Sequence, residues 1–271
     1  MSNKNKINII SSSESNNSFS EKIKQNLDTK IIGKEVFYFK TITSTNDYAR
    51  FLINRGVKEG AIVLADVQTS GRGRKSRVWS SPEGGLWFSI ILYPSFSPKD
   101  AMLLTMAASI SVVKAVREIT HLEPVIKWPN DILIDGKKVC GILTELETKE
   151  DKIIYSIIGI GINVNNQLNE DLYNTATTLL EKYGSIISKI ELFKKILKHF
   201  DENYLRLIDG DFRYIRDRWL SMSRIAGREV IIKDDDKTIQ GVVSGVDDNG
   251  QLILKTKNKI MQISNGDLEY L

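Results

Sequence analysis

The chain has little of several things that would announce a function. It holds one cysteine, Cys140, among 271 residues. No internal disulfide can form, which fits a reducing compartment. Cys140 sits in an apolar run, Val139 to Leu143, and reads as a small buried hydrophobe, not a nucleophile. The two histidines, His121 and His199, lie far apart without cysteine company, so no zinc site is expected. No stretch approaches the roughly 20 apolar residues of a membrane span. The apolar run Ile7–Ile10 is too short for a secretory signal, and the expected compartment is the cytoplasm. Charge is nearly balanced, 38 basic against 34 acidic residues, which is not a nucleic-acid footprint. Neither a Walker A loop nor a Rossmann glycine fingerprint follows any strand-like run.

What is present begins with a hydrophobic content of 41%, enough for a core. Residues 1–30 are rich in Ser, Asn and Lys and read as a flexible polar segment. Phe19, Ile23 and Leu27 share a spacing of four, which fits a short docked helix. Strands are expected over Val36–Phe39, Ala61–Val67, Leu86–Leu92, Val125–Ile126, Ile132–Ile134, Val139–Leu146 and Ile153–Ile160. Ser44 reads as a helix cap, and Leu103, Ala107, Ile110 and Val113 mark one face of a helix over 100–119. Further helices are expected over 174–184, 190–208 and 211–222. From near Gly227 the pattern becomes short strands split by Asp-rich turns, a small barrel that leans on the main domain. The sequence thus divides into a polar segment (1–30), a hairpin-rich α/β domain (31–222) and a small β-barrel (223–271).

The chemistry concentrates in a few segments. Gln68 to Arg77 places Arg72, Arg74, Lys75 and Arg77 among glycines. Guanidinium forks suit carboxylate and phosphate oxygens, and glycine lets the backbone approach a ligand. Four like charges repel when empty, so the loop is expected to be mobile alone and ordered by an anion; the plain alternative is a solvated basic turn. Lys127-Trp128-Pro129-Asn130-Asp131 leads into a strand, and Lys138 opens the next one beyond the Asp135-Gly136 turn. The hairpin brings Asp131 and Lys138 together, either as a structural ion pair or as a carboxylate near a metal or amine beside a cation for a reacting acid. Gly159-x-Gly161 alone marks no more than a strand approached closely by another group. Together these pieces suggest an enzyme that handles a phosphorylated molecule.

Ser44-Thr45-Asn46, Gln68 to Arg77, the Lys127–Asp131 run, Lys138-x-x-Gly141 and Gly159-x-Gly161-Ile162-Asn163 resemble, in order and spacing, the biotin–protein ligases. The resemblance implies an α/β catalytic domain of the biotin/lipoate ligase type, followed by an SH3-like barrel. It implies ATP-dependent transfer of biotin to a lysine of a biotin carrier domain, itself part of a carboxylase or decarboxylase, through biotinyl-5′-AMP. ATP and Mg²⁺ are the implied cofactors. Residue by residue, Ser44, Thr45, Gln68, Gly71, Arg72, Arg74, Lys138, Gly141, Gly159 and Gly161 match the family's biotin site. Arg72, Arg74, Arg77, Trp79, Asn130, Lys138 and Asn163 match its adenylate site. Lys138, Arg74 and Asp131 match catalytic positions, with Asp131 also matching a magnesium position. Trp87 is expected in the core.

Many members carry glycine where this chain has Ser76, so loop closure is expected to differ. Some carry an N-terminal helix-turn-helix domain; only about 35 polar residues precede this catalytic domain, so no specific DNA binding is expected. Family members often dimerise along a sheet edge, but this sequence does not fix the oligomeric state. A lipoate or octanoate ligase on the same scaffold is the nearest rival. Against it, Ser44, Thr45 and Gln68 suit the polar ureido ring of biotin. A non-enzymatic RNA-binding module is a remoter one, since aromatics are not interleaved with the cations.

Overall fold

The central strand β3 (Leu86–Leu92) is buried at every position, which only a strand covered on both faces achieves. The computed structural model describes residues 27–234 and 237–271. The polar leading segment and the helix expected around Phe19 and Ile23 lie outside these residues.

Seven strands form the main sheet. They are β1 (Val36–Ile42), β2 (Ile62–Gln68), β3, β4 (Val125–Lys127), β5 (Asp131–Ile134), β6 (Lys137–Lys149) and β7 (Lys152–Ile162). Their order is β1-β2-β3-β7-β6-β5-β4. Only β1 and β2 pair in parallel; every other neighbour is antiparallel, as the hairpin-rich sequence predicts.

Strand alternation sorts the side chains into two layers. Phe88 and Ile90 join the large core under helices α2 (Met102–Thr120) and α4 (Lys189–Ile208). Ile91 faces the other way, into a smaller cluster with Ala49 and Leu52 of α1 (Thr45–Ile53). Helix α2 is buried around most of its surface because the sheet, α4 and α5 (Phe212–Ser223) all press on it. Trp87 is fully buried, its indole N–H donating to the Pro82 carbonyl, so it is a core residue as expected. Cys140 is likewise buried, and burial pushes its thiol far above the usual range.

One predicted helix is largely replaced. Within 174–184 only α3 (Leu179–Tyr183) is helical. Residues 173–175 form a turn and Ala176 bridges Lys138, whose N–H donates to Thr175 O while Thr177 N–H donates to Lys138 O. The turn closes on Leu172 O, which accepts from Thr175 and Ala176, and the bonds of Thr175 O and Thr177 N–H then pin Lys138 from the side opposite β5.

The second sheet is antiparallel throughout, ordered β11-β10-β9-β8-β12. It comprises β8 (Glu229–Asp234), β9 (Lys237–Val246), β10 (Leu252–Lys255), β11 (Ile260–Ile263) and β12 (Asp267–Tyr270). This is the expected SH3-like unit. It leans on the main fold, with Asn249 donating to the buried Asp100 at 2.7 Å and Gly250 packed on Met106.

Candidate active site

A cavity of about 270 Å³ opens where β2, β6 and β7 end beneath the basic loop. Its floor is polar. Gln68 Oε1 accepts from the Thr45 backbone at 2.8 Å and the Thr45 hydroxyl at 3.0 Å, while Gln68 Nε2 donates to Ser81 at 2.8 Å. Ser89 Oγ lies 2.7 Å from Thr45 Oγ1 and 2.6 Å from Asn46 Oδ1. Asn46 in turn donates to Glu145 at 2.7 Å. This chain of bonds is possible because Ser44 caps α1, accepting from Asp47 N, and so aims the first turn of α1 at the sheet. Gly159 leaves the space that Asn46 occupies; a Cβ there would collide with its amide.

The basic loop is a narrow hairpin. Thr69 donates to the end of β1 at Ile42 O, and Ser70 to Thr43 O just beyond it. Arg72 bridges Val78, and Trp79 N–H donates to Gly71 O at 2.9 Å. Gly71 does not line the cavity; a Cβ there would press within 2.6 Å of Ser81 Oγ, so its smallness closes the hairpin. At the tip, Lys75 (φ 52°) and Ser76 (φ 58°) both occupy the left-handed region that glycine favours.

Each loop cation meets an acid of the protein. Arg72 pairs with Asp47 at 2.6 Å and with Glu145 at 3.2 Å. Arg74 donates to Asn130 Oδ1 at 3.1 Å and to Gly266 O at 3.3 Å, and burial pulls its guanidinium below its ordinary value. Lys75 pairs with Asp234 at 2.8 Å, and Arg77 grips Asp267. The repulsion expected among these cations is thereby offset by carboxylates that the loop sequence does not contain.

Opposite the loop, Lys138 Nζ lies 2.6 Å from Asp131 Oδ1. Register explains it: Asp131 opposes Gly141 and Leu133 opposes Lys138, with an irregularity between them that brings the two side chains together. The ammonium also sits 5.0 Å above the Trp79 ring. Trp79 lies across the cross-strand pair Gly141 and Gly161, each of which has no room for a Cβ beneath the indole. Among the described residues its buried N–H has no acceptor. Asn130 is fixed by donating to Ile142 O at 2.7 Å, and Asn163 Oδ1 accepts from Asn166 at 3.3 Å.

The cavity wall therefore gathers Ser44, Thr45, Gln68, Arg72, Arg74, Arg77, Trp79, Asn130, Asp131, Lys138, Gly141, Gly159, Gly161 and Asn163, every expected site residue except Gly71. Sequence reasoning missed Asn46 on the wall, Ser89 buried behind it, and the acids Glu145, Asp234 and Asp267 that meet the loop. Ser89 carried a signal, a lone hydroxyl in an otherwise apolar strand; the acids carried none. Among the described residues no group of three or more His, Cys, Asp or Glu side chains is placed to hold a metal. No helix there is long and apolar enough to cross a membrane.

The comparisons with known proteins agree with this geometry. The biotin/lipoate A/B protein ligase family is matched over residues 38–163, and the biotin protein ligase C-terminal domain over 225–269. A bifunctional ligase/repressor BirA of Bacillus subtilis is 39% identical, over 91% of this chain and 77% of that protein. A biotin protein ligase from Aquifex aeolicus, solved with biotin and ATP, superposes with a TM-score of 0.75 at 33% identity, over 88% of this chain and 99% of that one. One from Leishmania major, solved with biotinyl-5-AMP, gives 0.54 at 25% identity, over 88% and 98%. With a polar-floored cavity under an arginine hairpin, a lysine on the facing strand and both sheets matched, the chain belongs to the biotin protein ligase family.

Proposed function

We propose that the protein joins biotin to a lysine of a carrier domain at the expense of ATP, through biotinyl-5′-AMP. The carrying observation is that Arg72, Arg74 and Lys138 share one cavity with the Thr45–Gln68 polar floor. In the first step a biotin carboxylate oxygen attacks the α-phosphorus of ATP and the bond to pyrophosphate breaks. Both reactants are anions, so the step needs cations at the meeting point. In our reading Lys138 bridges the carboxylate and the α-phosphate, and Arg74 and Arg72 hold the charge from the loop side. Ser44, Thr45 and Gln68 meet the ureido ring, with Gly141, Gly159 and Gly161 giving the ligand room along the strands. Gly71 contributes by shaping the hairpin.

In the second step the carrier amine attacks the acyl carbon, AMP leaves with the electron pair, and the amine gives up a proton. In our reading Asp131, which lies beside Lys138, orients that amine. Trp79, Asn130, Arg77 and Asn163 border the adenylate, and the orphan Trp79 N–H offers it a donor. The anhydride hydrolyses in water, so the hairpin over it serves retention as well as charge.

The donor set also fits magnesium of the kind that rides on a nucleotide. Mg²⁺ keeps several waters and takes one or two carboxylates plus phosphates, so a single carboxylate, Asp131, suffices. When bound it would neutralise phosphate charge.

The reading further holds that residues 31–222 are the catalytic unit and 223–271 its companion. The acceptor is a carrier domain of a biotin-dependent carboxylase or decarboxylase. One lone cysteine favours a cytoplasmic setting. Past Ile142, which still bonds Asn130, the described residues give that edge of β6 no strand partner, and this is where a homodimer would pair.

Incubation with ATP, Mg²⁺ and either biotin or lipoate tests the reading. Biotinyl-AMP and pyrophosphate are expected with biotin. An acyl-adenylate with lipoate alone would overturn the substrate.

A further inference from the structure

The carboxylate of Asp267 stands at the first residue of β12 in the second sheet, yet it lines the catalytic cavity of the first. Arg77 reaches it with both terminal nitrogens, one to each oxygen. Arg74 stands 4.0 Å from the same carboxylate and donates to the adjoining Gly266 carbonyl. Lys75 is held by Asp234 of β8, the neighbouring strand. Among the described residues, Arg74, Lys75 and Arg77 are tied to the small sheet, while Arg72 is tied to acids of the main fold.

This arrangement resolves an electrostatic difficulty. Cations crowded on one hairpin repel one another, and nearby carboxylates offset that repulsion. A bidentate carboxylate supplies the offsetting charge in the geometry a phosphate would use. The hydrogen bond from Arg77 holds the Asp267 carboxyl below the usual carboxylate range, so it is anionic at neutral pH. When a triphosphate enters, the same guanidinium groups are what it needs, and a carboxylate beside it is repulsive.

We propose that Asp267 is a positioning residue that occupies Arg77 and Arg74 as a resident anion until the nucleotide takes them, so that the small sheet sets nucleotide affinity in the large one. The proposal rests on the biotin–ATP reading of the site. Its consequence is an exchange: the ligand-free hairpin is latched to β12, and nucleotide binding pulls the latch open. Asp267 touches no reacting atom. It acts through the arginines, at the cost of some nucleotide affinity and to the benefit of an ordered loop.

The test compares the full chain with Asp267→Asn, Asp267→Glu and Asp234→Asn. Asparagine keeps the shape and removes the charge; glutamate restores the charge one methylene further out. In ligand-free protein, trypsin cleavage after Lys75 and Arg77 is expected to rise severalfold in Asp267→Asn and Asp234→Asn, and to return toward wild type in Asp267→Glu. The KM for ATP is expected to fall in Asp267→Asn by about twofold to fivefold, the range of a partly exposed ion pair, with the KM for biotin unchanged. A residue that only braced the fold would raise both constants or neither. Unchanged cleavage, or equal movement of both KM values, would overturn the proposal. Wild-type protein that shows no biotin-dependent adenylate would overturn the activity reading instead, and the proteolysis arm would still decide the latch.

Discussion

The Lys138 ammonium lies 2.6 Å from the Asp131 carboxylate, while the Lys138 backbone is clamped from its other side by Thr175 and Thr177. The amine is therefore placed by two independent segments, a hairpin register and a threonine bridge. Neither partner is deeply buried, at 31% and 24% exposure, so the pair adds little to stability. Its value lies in holding a cation where two anions must meet.

Replacing Lys138 with alanine separates these roles. We expect kcat to fall about 100- to 1000-fold, the cost of losing one placed donor. The melting temperature should move by no more than about 4 °C, in keeping with an exposed pair. Kinetics near wild type would make Lys138 merely structural.

Arg72 leaves the loop toward α1 and β6, where it meets Asp47 and Glu145. Removing it unties the hairpin on that flank. In Arg72→Ala, biotinyl-AMP should escape into solution about tenfold faster in the absence of a carrier, equivalent to roughly 1.4 kcal/mol of retention. An unchanged escape rate would remove the loop from the retention account.

Ser76 sits at φ 58°, where a branched β-carbon is strained. Ser76→Val should disfavour the closed hairpin by about 1–3 kcal/mol, and intermediate retention should drop accordingly. Ser76→Gly should retain the intermediate at least as well as wild type. Equal leakage from all three proteins would show that this φ does not govern closure.

Asp201 on α4 is nearly buried and accepts from three successive backbone N–H groups, those of Lys30, Ile31 and Ile32. It fastens the start of the described chain to the core. Asparagine would turn a donor toward those donors. Asp201→Asn should cost about 1–3 kcal/mol in urea unfolding, with catalytic constants unchanged.

Much of this was readable in advance, for identifiable reasons. The β3 strand, the Ser44 cap, the Asp135-Gly136 turn and the stripe of α2 each rest on local spacing, which a sequence displays directly. Asp131 and Lys138 were placed together because a short hairpin leaves few alternatives. The failures share a cause. Residues 174–178 looked helical because their bonding partner, Lys138, lies far back in the chain. β12 cannot be picked out in advance, because four residues after Asn265-Gly266 carry too little pattern. The acids that meet the loop, Asp47, Glu145, Asp234 and Asp267, come from one helix and three strands distant in the chain. The loop's charge repulsion was therefore overstated when judged from its own residues.

The most direct measurement is a crystal structure of the protein with biotin and an unreactive ATP analogue. The account predicts Lys138 within hydrogen-bonding reach of both the biotin carboxylate and the α-phosphate, with Arg72 and Arg74 closing over them. Those three side chains directed away from the two ligands would contradict it.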